Sequence, residues 1–405
     1  MIPPRPLAGS ADQTRGALAA APLDALADAR GAPRPRHVYV HVPFCARRCS
    51  YCDFAIAVRR AVPVDEYIAA ISAELDIRFA PGDDDWRVDT LYLGGGTPSR
   101  LGGAGIQRLM DVLRARMTTA ADAEITIEAN PDDVTPASVA AWRAAGVTRL
   151  SLGAQSFDPE ALSWMHRTHT AEQTAVAVGV ARDGGIDSLS LDLIFALPTA
   201  VPRSWSADLA SALALSPDHL SLYGLTVERA TPLGRWVARG EVTVAPDDRY
   251  AAEYLAAHEA LNGAGFEHYE VSSFARLGAR SRHNSAYWAG VAYAGLGPGA
   301  HEFDGDRRRW NIGAYTAWAQ RALRGEDPVA DRELLTPENR AAERLYLELR
   351  TAAGTVLDMA SQRLARPWID AGWATLDGAR LSLTVEGWLR LDELVPMLAN
   401  PGSRY

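Results

Sequence analysis

The sequence predicts an α/β fold in which a parallel sheet curls into a partial (β/α)6 barrel. Short strand-like apolar runs alternate with amphipathic stretches of helical spacing, and the chain between runs is long enough for crossover helices. Cysteines, a glycine run and isolated polar residues fall at or just after the ends of the predicted strands, where barrels of this type place their active sites. An open doubly wound sheet is the structural alternative.

The predicted elements follow one another from Val38 onward. The predicted strands are 38–42, 88–93, 124–129, 148–153, 188–194 and 219–225, and the helices between them are 65–79, 104–117, 136–145, 170–184 and 203–215. After Thr336 we expect helices near 338–350 and 357–366, a hairpin turning at Asp377-Gly378 and a last helix over 385–398. This pattern divides the chain into a disordered extension (1–36), the barrel (37–230), an α+β extension (231–335) and a winged-helix-like unit (336–405).

The composition excludes several classes of function. The chain has 405 residues, and its net charge of -9 gives no general attraction for nucleic acid. All 41 basic residues are arginines, so chemistry that requires a lysine Schiff base is excluded. The last part, 336–405, holds nine acidic residues and eight arginines, which argues against a DNA-binding winged helix. No apolar run is long enough to span a membrane, and clustered free thiols indicate a cytoplasmic protein.

All three cysteines lie within eight positions of one segment, His41–Phe54. Three thiols cannot complete a disulfide framework, and a structural zinc site would lack a fourth cysteine. Thiolates this close repel one another unless a metal neutralises them. The C-x3-C-x2-C spacing of Cys45, Cys49 and Cys52 therefore predicts a 4Fe-4S cluster with one iron open to a small ligand. A zinc or redox-active cysteine loop is the alternative.

Other candidate residues lie at the ends of later strands. The run containing Gly95, Gly96 and Thr97 would let the backbone approach a ligand closely, although a tight turn could use the same residues. Glu128 ends an apolar strand, where an unpaired charge is costly, so it either binds a ligand or serves a neighbouring loop. The amide of Gln155, at the end of the next strand, is suited to binding hydroxyl groups.

The cysteine spacing, the Tyr51 that precedes the last cysteine and the GGGTP run together resemble the radical S-adenosylmethionine (SAM) superfamily. The resemblance implies that the three cysteines hold the 4Fe-4S cluster and that SAM chelates its open iron. It assigns the SAM site to Tyr39, Tyr51, Gly95, Gly96, Thr97, Glu128, Gln155, Arg167 and Asp192. Arg167 would then pair with the SAM carboxylate, and its alternative is a surface arginine. For Tyr39 the alternative is a core tyrosine.

The region from Tyr39 to about Leu225 resembles the branch related to oxygen-independent coproporphyrinogen III oxidase. The oxidase carries a further cysteine two positions after the third cluster ligand, whereas this chain has Phe54 there. The later run His283-Asn-Ser-Ala-Tyr287-Trp288 resembles the HNxxYW motif of the sister group of haem chaperones. That resemblance implies a haem site at His283, Tyr287 and Trp288, in which imidazole could ligate iron and the aromatic rings could pack on the porphyrin. A structural, hydrogen-bonded histidine is the alternative.

The sequence therefore predicts a cytoplasmic radical SAM haem chaperone that binds a 4Fe-4S cluster, SAM and haem. Its partners would be haem and an acceptor haemoprotein, including membrane-bound acceptors contacted peripherally, but not nucleic acid. No catalytic residue is assigned, and whether the chain is an enzyme stays open. The alternatives are a coproporphyrinogen III oxidase, which would decarboxylate propionates by radical chemistry, and a radical SAM enzyme acting on an unrelated substrate.

Overall fold

The computed structural model describes residues 34–79 and 86–399. The predicted extension 1–36 therefore lies almost entirely outside the described residues, as do the last positions of the C-terminal unit. The strands of the described chain are β1 (His37–Val42), β2 (Phe44–Cys45), β3 (Ala57–Val58), β4 (Arg87–Gly95), β5 (Thr118–Ala129), β6 (Arg149–Gln155), β7 (Ser188–Phe195), β8 (His219–Gly224), β9 (Glu267–Glu270), β10 (Ser273–Ala275), β11 (Ala294–Leu296), β12 (His301–Phe303), β13 (Arg307–Asn311), β14 (Val329–Leu334), β15 (Thr355–Val356), β16 (Ala374–Asp377) and β17 (Arg380–Leu383).

Most helices begin at a residue whose side chain caps the first turn. Thr135 and Thr170 form capping boxes with the third helical residue, which satisfies amides that have no partner within the helix. The helices are α1 (Val64–Arg78), α2 (Gly102–Arg114), α3 (Pro136–Ala144), α4 (Pro159–Trp164), α5 (Ala171–Asp183), α6 (Trp205–Ala214), α7 (Pro232–Ala238), α8 (Asp247–Gly263), α9 (Arg282–Trp288), α10 (Tyr315–Leu323), α11 (Pro337–Leu349), α12 (Met359–Leu364), α13 (Arg366–Asp370), α14 (Val385–Trp388) and α15 (Leu391–Ala399).

The main sheet has nine strands in the order β11-β1-β4-β5-β6-β7-β8-β10-β9. The strands from β11 to β8 run parallel, and β10 and β9 add an antiparallel edge. All six predicted strands are present, which confirms the α/β parallel-sheet prediction. The sheet nevertheless continues beyond residue 230, where the barrel was expected to end. The added strands have only three or four residues, too few for a periodic pattern to reveal them in the sequence.

Alternating residues of the parallel strands face opposite sides of the sheet. In β1, Val38 and Val40 belong to the buried core shared with the helices, whereas Tyr39 and His41 line an internal cavity. The other strands likewise turn polar side chains inward near their C-terminal ends, where Glu128, Ser151, Asp192 and Tyr223 line one cavity. The site is therefore formed by the polar residues on the inward-facing side of each strand.

The segment from β10 to β11 connects the two sides of the curled sheet through α9. The first amides of α9, those of Arg282 and His283, donate to the two carboxylate oxygens of Glu124, each at 2.9 Å. Glu124 lies where the pairing of β5 with β4 resumes after an irregularity, so the first turn of α9 is held against β5. The HNxxYW motif thus forms a helix that begins at β5 and ends at the pocket of the cysteines, which Trp288 lines.

The C-terminal part forms a small sheet, β15-β17-β16, surrounded by α11 to α15. The predicted hairpin is present, but the helix predicted over 385–398 is two helices that break at Leu389–Arg390. Thr384 caps the first of these, and Gly387 lies so close to the Trp373 carbonyl that a Cβ there would be 1.9 Å from its oxygen. The winged-helix description stays a prediction. No helix within the described ranges is long and apolar enough to span a membrane.

Candidate cofactor-binding site

The three cysteines follow β1 and open into one cavity of about 480 Å³, the cysteine pocket, which the C-terminal ends of β4 to β8 also line. Each thiol is partly buried. The loop is held in place by a guanidinium nitrogen of Arg47, which donates to the Arg167 carbonyl at 2.8 Å, and by the Leu233 amide, which donates to the Ser50 carbonyl at 2.8 Å. The predicted ligands therefore share one pocket on a fixed loop.

The thiols fit a multi-iron cluster better than a single ion. Burial raises the pKa of the Cys45 thiol, against a hydrogen bond from Thr97, and raises that of Cys52 to about 12, so thiolates here need a cationic group. Across residues 34–79 and 86–399, no three His, Cys, Asp or Glu side chains converge as a single metal ion requires. A four-iron cube instead spreads its thiolates over separate corners. Three thiols on one loop that line one pocket are the donors that such a cluster uses.

The glycine run lies directly against the cysteine loop. A Cβ on Gly96 would be 2.6 Å from the Pro43 carbonyl oxygen and 3.0 Å from the Cys45 sulfur. Gly95 has a φ of 117°, a conformation that side-chain-bearing residues rarely adopt. Its amide donates to a carboxylate oxygen of Glu128 at 3.0 Å. The absence of a side chain at Gly96 therefore lets the glycine run pack against the cysteine loop, and the amide of Gly95 positions the Glu128 carboxylate.

The two carboxylates predicted for the site both line the cysteine pocket. Glu128 also accepts a hydrogen bond from the Tyr92 hydroxyl at 2.8 Å. Asp192 accepts from the Ser151 hydroxyl at 3.0 and 3.1 Å. Burial, with the nearby charge of Glu128, raises the pKa of Asp192 to about 6. The pocket thus holds one carboxylate fixed by two donors and a second whose proton affinity is raised.

Gln155 and Arg167 meet over Gly153. Gln155 has a φ of 65°, a left-handed conformation that is rare for residues other than glycine and is often found at binding sites. One terminal nitrogen of Arg167 donates to the Asn130 side chain at 2.6 Å and to the Gly153 carbonyl at 2.9 Å, and the other lies 3.6 Å from the Cys49 sulfur. The Arg167 Nε is buried without a hydrogen-bond partner in the described structure. The pocket therefore contains a cationic side chain with a free donor.

Two tyrosines assigned to the SAM site occupy different places. Tyr51 lines the cysteine pocket, as does Thr97, whose hydroxyl lies 3.7 Å from the Cys45 sulfur. Tyr39 does not line this pocket. Its hydroxyl lies 3.0 Å from His41 Nδ1 and its ring stacks on Tyr92, because its place in the β1 alternation directs it toward a second cavity.

The HNxxYW residues do not share one cavity. His283 is fully buried, and its two ring nitrogens are hydrogen-bonded to the hydroxyls of Thr90 at 2.7 Å and Tyr287 at 2.8 Å. Burial holds the pKa of His283 well below its usual range, so the imidazole is neutral. Tyr287 lines the second cavity, whereas Trp288 lines the cysteine pocket, where the Arg350 guanidinium covers its ring.

The second cavity has a volume of about 1150 Å³ and is called here the aromatic cavity. It lies between β1, the β12–β14 sheet and α11. Its aromatic and imidazole lining comprises Tyr39, His41, Phe54, Tyr287, Tyr293, His301, Phe303 and Trp310. Asp53 and Phe54 line both cavities, so one short segment separates them.

Sequence reasoning did not identify this cavity or several residues of the cysteine pocket. Ser151 and Tyr223 line the cysteine pocket at inward positions of strands already predicted, so the strand alternation could have found them, and Asn130 lines it directly after the end of β5. For the aromatic cavity the available signal was the alternation from His301 to Trp310 around Asp304-Gly305, which is typical of a hairpin with one ring-bearing face.

Comparisons with known proteins agree with this architecture. Residues 39–207 match the Radical SAM superfamily. The chain is 38% identical over 371 residues to the heme chaperone HemW of Mycobacterium tuberculosis, covering 90% of this chain and 95% of that protein. It is 33% identical to the heme chaperone HemW of Bacillus subtilis, covering 79% and 84% of the two chains.

A solved structure extends the agreement to the fold. The coproporphyrinogen III oxidase HemN of Escherichia coli, a radical SAM enzyme, superposes with a TM-score of 0.78 at 25% identity, covering 92% of each chain. These matches cover 90% and 92% of this chain, which is more than the barrel alone. This chain therefore belongs to the radical SAM superfamily and, within it, to the HemW heme chaperone family.

Proposed function

We propose that this protein is a haem chaperone that binds a 4Fe-4S cluster, SAM and haem and passes haem to an acceptor protein. The observation that carries the proposal is the 38% identity, over nine-tenths of the chain, to a protein named heme chaperone HemW. The radical SAM barrel, with three cysteines at one pocket, supports the cluster and SAM.

Within this proposal, Cys45, Cys49 and Cys52 bind the cluster and the cysteine pocket binds SAM. A cluster held by these cysteines would supply an electron to SAM or would fix the loop. The Arg167 guanidinium, with its unpaired Nε, would receive the SAM carboxylate, and Glu128 would accept hydrogen bonds from the ribose or amino group. Tyr51, Gly95, Gly96, Thr97, Gln155 and Asp192 would form the remaining walls.

Two assignments change in this proposal. Tyr39 would support the site through His41 and Tyr92 rather than contact SAM. His283 would act as a structural hydrogen-bonding residue in α9, since both of its ring nitrogens are already paired.

The competing function is oxidative decarboxylation of coproporphyrinogen III, which the likeness to HemN favours. Phe54 stands where the oxidase is expected to have a further cysteine, and it lines both cavities. The oxidase would use the same cluster and SAM residues. The two functions are therefore distinguished by the product that forms and not by the cofactors that bind.

The test is made on one anaerobic preparation reconstituted with iron and sulfide. A haem titration, transfer of bound haem to apomyoglobin and a coproporphyrinogen turnover assay are run in parallel, with Cys52→Ser as the cluster-deficient control. The chaperone is supported by stoichiometric haem uptake and transfer without decarboxylated product. Decarboxylated product with matching 5′-deoxyadenosine would instead establish the oxidase, and failure to assemble a cluster would contradict both.

A further inference from the structure

We propose that haem occupies the aromatic cavity and that His301 is an axial ligand of its iron. This inference rests on the proposed chaperone function and assigns that function a site. It differs from the expectation for the HNxxYW motif, whose histidine lies outside this cavity.

His301 is the imidazole best prepared to bind a metal in this cavity. It is partly buried on β12, lines the cavity and stacks on Trp310, with ring centroids 5.6 Å apart at an angle of 22°. Trp310 is its direct partner across β12 and β13, so the strand pairing fixes the ring. Neither ring nitrogen has a hydrogen-bond partner among the residues that the structure describes. A neutral, oriented imidazole with a free nitrogen is a good ligand for haem iron.

The other histidine that lines the aromatic cavity is already engaged. His41 Nδ1 lies 3.0 Å from the Tyr39 hydroxyl, and its Nε2 lies 2.9 Å from the Ala55 carbonyl oxygen. Ligating iron through His41 would break one of these bonds in a buried place, which is costly. His283 has the same constraint and no access to the cavity.

The size and walls of the cavity suit a flat apolar macrocycle. Its volume of about 1150 Å³ exceeds that of most small-molecule pockets, which is roughly 300–1,000 Å³. Tyr293, Phe303, Trp310 and Leu347 line it with three aromatic rings and one aliphatic side chain. Aromatic faces pack well on a porphyrin, and the tyrosine hydroxyls supply a few polar contacts.

Two arginines at the edge of the cavity can receive carboxylates. Arg340 and Arg344 lie one turn apart on α11, and their present partners are Asp306 and Glu348. The arginine side chains are 51% and 81% exposed, so these ion pairs are weak and their exchange for propionates costs little. The arginines must be available to the propionates because acidic residues also line the cavity and would repel them.

The charges that line the cavity balance, with Arg308, Arg340 and Arg344 against Asp53, Glu333 and Glu343. Arg308 is occupied by both glutamates. The propionates therefore have Arg340 and Arg344 as their partners, at the solvent side, which places the iron toward His301 and the interior.

The test compares haem binding by wild type, His301→Ala and His301→Gly, with His258→Ala as the control imidazole from outside both cavities. We expect the histidine-ligated haem spectrum to be lost in both His301 variants, with an affinity loss of about tenfold or more. Added imidazole should restore the spectrum in His301→Gly, whereas His258→Ala should match wild type. Circular dichroism and the iron content of the cluster verify that each variant is folded.

A second test addresses the carboxylates. Wild type should bind haem more tightly than haem dimethyl ester, and the Arg340→Ala/Arg344→Ala variant should lose this preference, while Arg363→Ala/Arg366→Ala should keep it. Wild-type haem ligation that persists in His301→Gly, or that is abolished only by His283→Ala in a folded protein, would overturn the site. Absence of haem uptake by wild type would instead contradict the chaperone function itself.

Discussion

Replacing Gly96 by alanine tests whether the glycine run sets the position of the cluster loop. The added Cβ would lie 2.6 Å from the Pro43 carbonyl oxygen, about 0.8 Å inside the 3.4 Å at which ordinary contact begins. The atom that it meets is backbone, and that carbonyl accepts a hydrogen bond from the Ala57 amide at 2.7 Å. The overlap cannot be relieved by rotating a side chain.

The magnitude follows from those two contacts. Overpacking in a close-packed place costs about 1–3 kcal/mol, and weakening the Pro43–Ala57 hydrogen bond adds about 1 kcal/mol. If the loop moves instead of the sheet, Cys45 moves with it, since its sulfur would be 3.0 Å from the same Cβ. We therefore expect Gly96→Ala to lower the midpoint of thermal unfolding and to bind iron and sulfide at well below the wild-type ratio.

The assay is the iron and sulfide content after anaerobic reconstitution, measured beside thermal unfolding. Gly179→Ala is the matched control, because a Cβ there meets nothing within 4 Å and an alanine in a helix is favourable by about 1 kcal/mol. The reasoning is refuted if Gly96→Ala assembles the cluster as fully as the control and unfolds at the same temperature.

Three further predictions concern the pockets. Gly153→Ala places a Cβ 2.8 Å from the side-chain nitrogen of Gln155 and 3.3 Å from a terminal nitrogen of Arg167, and both atoms are side-chain ends that can shift, so we expect a folded protein with weaker SAM binding in equilibrium dialysis. Asp192→Asn removes a buried acid whose pKa is raised to about 6; because its neutral form is favoured by folding, its contribution to stability is present near pH 4 and is lost as pH rises through 6. The variant should be more stable than wild type at pH 7.5, on the order of 3 kcal/mol in denaturant unfolding of the cluster-free protein. His283→Ala removes the imidazole partner of the Tyr287 hydroxyl and one of the two partners of the Thr90 hydroxyl, whose other partner is His37, and should destabilise the fold by about 1–3 kcal/mol while keeping the haem spectrum.

Each of these has an outcome that contradicts it. Unchanged SAM affinity in Gly153→Ala would mean that the positions of the Gln155 and Arg167 side chains do not determine SAM binding. A stability difference between Asp192→Asn and wild type that does not grow from pH 4 to 7.5 would remove the argument from burial. Loss of the haem spectrum in a stable His283→Ala protein would return the iron ligand to the HNxxYW motif.

The strands and the cluster loop could be predicted because their signals are local. Strand-like segments of six or more residues with recurring apolar positions define β4 to β8, and the three cysteines stand within a single loop. β11 was missed because three residues carry no period, although its pairing with β1 completes one side of the sheet.

The aromatic cavity could not be predicted because its walls come from distant parts of the chain. His301 and Trp310 meet only through a hairpin, and α11 closes the cavity from the C-terminal unit. The direction of Tyr39 depended on which face of β1 is occupied by the core, and the φ of Gln155 depended on a register shift between β6 and β7. Neither the direction of the Tyr39 side chain nor the φ of Gln155 is determined by the local sequence.

The segment from Asp53 to Ala55 lies between the cysteine pocket and the aromatic cavity. It starts one residue after Cys52, and the Ala55 carbonyl holds His41 on the other side. Under the proposed function, haem binding would depend on the cluster. If Cys52 no longer bound the cluster, the segment that forms a wall of the aromatic cavity would be held less firmly. We expect protein prepared in air to contain less haem, as well as less iron, than protein prepared anaerobically. The amount of haem bound in the cell would then depend on how well the cell protects iron-sulfur clusters from oxygen.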